Sequence, residues 1–154
     1  MAVLISNDAG LDTPLTEAEM EQVVRRALEL EGVEAPVGVS VSIVDAEEMR
    51  GLNKMWRDID KPTDVLSFEC DSPFDEVPEG EEVELGDVIL APEVIAAQAP
   101  EFSSTPADEF RLMLVHGILH LLGFDHMDPD EAAEMEAREL SILQELARMR
   151  GDDP

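Results

Sequence analysis

Three histidines, His116, His120 and His126, fall within eleven consecutive residues, and the 154-residue chain has no others. His116 and His120 are four apart, so on a helix they are neighbours on one face. Gly123 follows them. Glycine adopts the left-handed backbone that other residues resist, so it can end a helix and let the chain double back. His126 would then reach the same point in space. Three imidazole nitrogens with a fourth position left for water make the arrangement of a catalytic zinc ion. Neutral nitrogen donors suit zinc or another late transition metal better than magnesium or calcium. Water at the open position would be acidified to a pKa of about 7, giving a hydroxide nucleophile at neutral pH. Asp125 stands beside the third histidine. It either orients a histidine ring from behind or caps a turn.

The elements that must position these residues are legible nearby. Thr105-Pro106-Ala107-Asp108 offers a capping hydroxyl, a proline in the first turn and an acid near the positive helix end. The helix it starts is apolar on nearly every side (Phe110, Leu112, Met113, Leu114, Val115, Ile118, Leu119, Leu121, Leu122), the pattern of a helix at the centre of a core. Two imidazoles on such a helix need partners, because a buried polar group left unpaired costs about 1–3 kcal/mol. Asp128-Pro129-Asp130-Glu131 caps a last amphipathic helix, with Met135, Leu140, Leu143 and Leu146 expected to face the core. Gly151 to Pro154 is expected to fray.

Upstream, Val3-Leu4-Ile5 reads as a first strand. Thr16 to Glu19 is a capping box, with Leu15 and Met20 placed as a hydrophobic staple, and its helix runs to about Glu31, stopped by Gly32. Val37 to Val44 alternates as a strand. Asp45 to Glu48 is a second capping box. Its helix turns Met49, Leu52 and Met55 inward and stops before Lys61-Pro62. Asp64 to Phe68 and Leu85 to Leu90 are strands, with Gly86 marking a bulge or close approach. Residues 69–84, rich in acids, read as a flexible, solvated hairpin loop. Pro92 opens a short helix to about Ala99.

Length and an apolar content of 44% fit one compact domain over residues 1–154. The single cysteine, Cys70, rules out an internal disulfide and fits a reducing compartment. No segment reads as a signal peptide or approaches the roughly 20 apolar residues of a membrane span, so a cytoplasmic protein without a membrane partner is expected. Against 37 acidic residues stand 10 basic ones, a net charge of -27, which taken alone argues against nucleic acid. The distribution qualifies this. Between Pro62 and Phe110 there is no Lys or Arg, whereas Arg50, Lys54, Arg57 and Lys61 follow a helical progression. They form either a solvated helix face or a small cationic patch where an anionic substrate docks.

Written as a pattern, His116 to His126 is H-x-x-x-H-x-x-G-x-x-H. This resembles the ligand spacing of the metzincin peptidases, except that Gly117 stands where those enzymes carry the glutamate base. In full, the window reads H-G-x-L-H-L-x-G-[YF]-D-H and resembles the signature of the YbeY family of bacterial metalloproteins. Leu52-Asn53 through Arg57, with Pro62-Thr63-Asp64-Val65-Leu66-Ser67-Phe68, is similar to that family's L-N-x-x-x-R…P-T-D-V-L-S-F block. Leu85-Gly86-Asp87-Val88-Ile89 is similar to its L-G-D-I-x-I strand, and Met135 and Glu139 fit its final helix. Phe124, Glu69 and the long acidic loop depart from the pattern.

The resemblance implies an α+β fold in which a central, buried helix carrying the metal ligands crosses a mostly parallel four-stranded sheet, with about five helices in all. It implies zinc on His116, His120 and His126. It further implies a single-strand-specific endoribonuclease acting at the 3′ end of small-subunit ribosomal RNA and in ribosome quality control. Arg57, matching the family's arginine, would clamp the phosphate and offset transition-state charge, unless it only pairs with one of the many surface acids. Lys54 and Lys61 would guide the strand, and Thr63, Asp64 and Ser67 are given no catalytic part. Because the net charge repels RNA, a basic ribosomal protein is the expected second partner. Two rival readings stand beside this one: a metal-dependent hydrolase of small molecules or peptides, and an acidic ribosome-associated adaptor whose zinc is structural. Oligomeric state is left open.

Overall fold

The computed structural model describes residues 1–74, 78 and 80–151. Among them, the elements follow in the order β1 (Ala2–Ser6), α1 (Glu17–Leu30), β2 (Val37–Ile43), α2 (Ala46–Arg57), β3 (Val65–Glu69), β4 (Val83–Leu90), α3 (Pro92–Gln98), a single 3-10 turn (Ala99–Phe102), α4 (Pro106–Leu121) and α5 (Pro129–Met149). The strands form one sheet in the order β1-β2-β4-β3. β1 and β4 run parallel to β2, and β3 runs antiparallel to β4 at the edge. This is the expected α+β architecture.

Alternation sets the faces. Val37, Val39, Val41 and Ile43 of β2 and Val83, Leu85, Val88 and Leu90 of β4 point into the main core, where α1, α4 and α5 pack. On the opposite face Leu66, Phe68 and Ile89 meet Met49 and Leu52 of α2. Helix α4 lies in the middle and touches α1, α3, α5, β3 and β4, which explains its nearly unbroken apolar circumference.

Local signals place the element ends. Thr16 and Glu19 exchange both capping bonds, each 3.1 Å, and Leu15 and Met20 are buried as the staple requires. Only half of the second box forms: Asp45 accepts from the Glu48 amide at 2.8 Å. The sheet register slips after Gly38, leaving Leu85 extra opposite β2. Beside it, Gly86 has φ +135° and its Cα faces the Phe68 carbonyl so closely that a Cβ would stand 2.0 Å from that oxygen. Gly86 is thus both the bulge and the close approach.

Several expectations need correction. Met55 is 74% exposed rather than inward. Helix α2 ends at Arg57 on a left-handed Asp58, so Lys61 lies past the helix and the four cations do not share one helical face. Arg50 pairs with Asp60 at 2.7 Å. Leu140 is 58% exposed, and the core stripe of α5 runs through Met135, Glu139, Ile142 and Leu146 instead. The acidic loop is shorter than expected, since Glu69 belongs to β3 and Val83 and Glu84 to β4. Residues 75–77 and 79 of that loop, and 152–154 of the expected frayed tail, lie outside the described residues.

Candidate metal centre

The three histidines do meet. Their ring nitrogens gather within 4.8 Å of one another, and the ring centroids stand 4.6, 5.2 and 5.8 Å apart. His116 and His120 come from successive turns of α4. The turn after α4 delivers His126: Gly123, with φ +99°, donates to His120 O at 3.0 Å and Phe124 donates to Leu119 O at 3.1 Å. That pair of bonds is the Schellman closure, and it reverses the chain.

The orientation of the rings is fixed from behind. His120 Nδ1 lies 2.9 Å from the Phe124 carbonyl oxygen, which can only accept, so Nδ1 carries the proton. His116 Nδ1 is hydrogen-bonded to the carboxylate of Glu139, a buried acid on the core stripe of α5. In the neutral rings both Nε2 atoms are then bare lone pairs, and they face each other across 3.1 Å. Two acceptors do not bond to one another. A cation between them resolves the repulsion, and two nitrogens bound to one tetrahedral zinc at ~2.0–2.1 Å would stand roughly 3.3 Å apart. The donor set therefore fits a zinc-like ion. Burial, and after it the neighbouring His116, hold the His120 imidazole below its usual range, which keeps the lone pair available at neutral pH.

Asp125 takes the second of its two readings. Its carboxylate accepts from the His126 amide at 2.7 Å, while the His126 ring nitrogen is 3.9 Å away, beyond hydrogen-bond reach. It shapes the turn.

The histidines open into a cleft of about 370 Å³ whose other walls are Arg57, Thr63, Asp64, Val65, Leu66, Ser67 and Glu69. Arg57 is exposed at the end of α2 and forms no ion pair among the described residues. Asp64 is fully engaged in holding the loop: Thr63 Oγ1 and the Val65 amide donate to one oxygen, and Gln98 Nε2 to the other. Ser67 donates to the Gly117 carbonyl at 3.3 Å. Buried Asn53 donates to the Lys61 carbonyl at 2.8 Å and fastens α2 to the loop that enters β3. These contacts give Asn53, Asp64 and Ser67 structural work.

Gly117 explains the missing peptidase base. A Cβ there would stand 2.6 Å from Val88 Cγ1 and 3.2 Å from Ser67 Oγ. The side-chain direction at this position points into the sheet, so helix α4 can approach β4 only with glycine here.

A family model described as endoribonuclease YbeY matches residues 5–147. The chain belongs to the YbeY family. An endoribonuclease YbeY of Azorhizobium caulinodans is 44% identical, over 99% of this chain and 93% of that one. Another, of Paramagnetospirillum magneticum, is 48% identical over 83% and 79%. The solution structure of TM1509 from Thermotoga maritima superposes with a TM-score of 0.64 at 26% identity, covering 97% of this chain and 91% of that one. Membership of the YbeY family makes the chain a nuclease-type hydrolase by descent, and its three-histidine group could hold a metal ion.

Sequence reasoning missed the role of Glu139. The signal was present: with the stripe drawn through Met135, Ile142 and Leu146, an acid occupies a core position. Choosing Leu140 for that face concealed it.

Proposed function

We propose that this chain is a zinc-dependent, single-strand-specific endoribonuclease of one domain, holding one ion on His116, His120 and His126. The observation that carries the reading is the pair of Nε2 atoms turned to each other by Glu139 and the Phe124 carbonyl, in a cleft whose wall carries Arg57, an arginine without an ion pair among the described residues. Zinc would supply Lewis acidity at that point. The chain's own residues do the rest. Glu139 and Phe124 O hold the imidazole tautomers, and the Schellman turn holds the third ring. Arg57 offers a planar, permanently charged fork to a phosphodiester and offsets charge that grows on it during cleavage.

The relatives are named endoribonucleases, and RNA is accordingly the proposed substrate, with the 3′ end of small-subunit ribosomal RNA and the quality control of ribosomes as its setting. The cytoplasm is the matching compartment. No helix among the described residues is long and apolar enough to cross a membrane. A net charge of -27 favours delivery by a basic ribosomal protein.

One observation favours the peptide reading. β3 is an edge strand and lines the cleft, so an extended peptide could pair with it. Against that, Gly117 leaves the helix without the peptidase base. The zinc-loaded protein, given single-stranded RNA and a peptide library in parallel, separates the two. RNA cleavage abolished by chelator and reduced about 100-fold or more in Arg57→Ala, with the variant's melting temperature unchanged, supports the nuclease. Intact RNA beside cut peptides overturns it. A structural-zinc adaptor would cut neither.

A further inference from the structure

Trp56 is the chain's single tryptophan, and there is no tyrosine. A large ring of this kind is ordinarily well covered, yet Trp56 is 62% exposed. It stands at the end of α2, one residue before Arg57. It meets Phe68 in a T-shaped contact, with ring centroids 5.5 Å apart and planes at 64°. The contact fixes the indole without hiding it. Phe68 faces α2 on the edge strand, whereas its chain neighbours Ser67 and Glu69 line the histidine cleft. Exposed Met55 and Ile59 flank the ring in sequence.

The charge around this ring differs from the rest of the surface. Residues 50–61 hold four of the chain's ten cations and two acids, Asp58 and Asp60. Asp60 is taken by Arg50. Lys54, Arg57 and Lys61 form no ion pair among the described residues. An open aromatic plate among these cations, one residue from an arginine that lines the histidine cleft, is the combination by which proteins seat unstacked nucleobases between their phosphates. A basic polypeptide would be repelled by the same cations and has acidic surface to choose elsewhere.

We propose that Trp56 is a stacking platform for one base of the single-stranded RNA whose phosphodiester lies in the histidine cleft. The inference rests on the endoribonuclease reading and names the residue that grips the strand beside the cut. Trp56 positions substrate and takes no part in bond cleavage.

The protein carries its own reporter, since all tryptophan emission comes from position 56. A single-stranded 2′-O-methyl RNA oligonucleotide, which resists cleavage, is titrated into the full chain. The expected result is a saturable change in emission, weaker for an oligonucleotide of the same length lacking bases. Trp56→Ala should weaken binding and raise KM for cleavable RNA by roughly tenfold with kcat nearly unchanged, and Trp56→Phe should restore most of both. Unaltered KM in Trp56→Ala overturns the platform and leaves the nuclease standing. Emission that answers to a basic peptide and not to the oligonucleotide overturns it in favour of a protein-docking surface. A saturable response in a wild-type protein that cuts no RNA supports the platform and removes the nuclease.

Discussion

At the residue level, the centre is built on what holds the histidines as much as on the histidines. Glu139 carries an acid into the core stripe of α5, at a solvation cost that only a partner offsets, and His116 Nδ1 is that partner. Glu139→Gln should preserve the fold and weaken zinc binding about 10- to 100-fold. Competition titration against a chromophoric chelator measures this, and unchanged affinity would sink the role assigned to Glu139. Glu31 shows the opposite arrangement. Its side chain is only 4% exposed, one oxygen accepts no hydrogen bond, and Arg138 stands 3.6 Å away. Burial pushes its carboxyl above the usual range. The sign follows from linkage: a raised folded pKa means that the folded state favours the protonated acid, so stability is lost as pH rises through that pKa. Glu31→Gln should therefore stabilise the protein near pH 7 by about 1 kcal/mol, roughly 2–4 °C in Tm. The advantage should vanish when pH falls below the ordinary glutamate range. Paired melting curves at pH 4 and pH 7 decide it.

At the level of elements, the decisive contact is α4 on β4. Gly117 lets the helix lie close enough for His116 and His120 to face the edge strand and Arg57, and Val88 fills the space a side chain would need. Gly117→Ala should cost about 1–3 kcal/mol through overpacking despite alanine's better helix propensity. Pairing it with Val88→Ala, which removes the methyl groups in the way, should recover part of the loss. Denaturant melts of the two single variants and the double variant check the coupling. Strict additivity would mean that the two side chains do not compete for that space.

The molecule as a whole carries 37 acids against 10 basic residues. Its local ion pairs, such as Arg25 with Glu21 and Arg26 with Glu145, are exposed or partly exposed, and solvent screening leaves each of them weak. The summed repulsion of the excess acids outweighs them. Raising NaCl from about 10 mM to about 150 mM, which shortens the screening length from roughly 30 to roughly 8 Å, should raise Tm by a few degrees. A falling Tm would show that the pairs dominate. The same field gives weight to Lys54, Arg57 and Lys61, which form no ion pair among the described residues: a polyanion approaching them meets less repulsion than over the acidic surface.

Most of the architecture was legible in local chemistry. Caps at Thr16, Thr105 and Asp128, the staple of Leu15 and Met20, and the left-handed glycines at 32 and 123 act within a few residues of themselves, and so does the i, i+4 pairing of His116 and His120. The resemblance to the family supplied the mostly parallel four-stranded sheet. What required the fold were contacts between residues distant along the chain. Glu139 reaches His116 across 23 positions and Gly117 meets Val88 on another element, while Trp56 rests on Phe68 with its ring left open. Which face of α5 turns inward could not be fixed by its leucines, because Leu140 and Leu143 offered a competing stripe of similar hydrophobicity. Short-range hydrogen bonding and steric preference are encoded where they act; long-range packing is decided only when every element has found its neighbours.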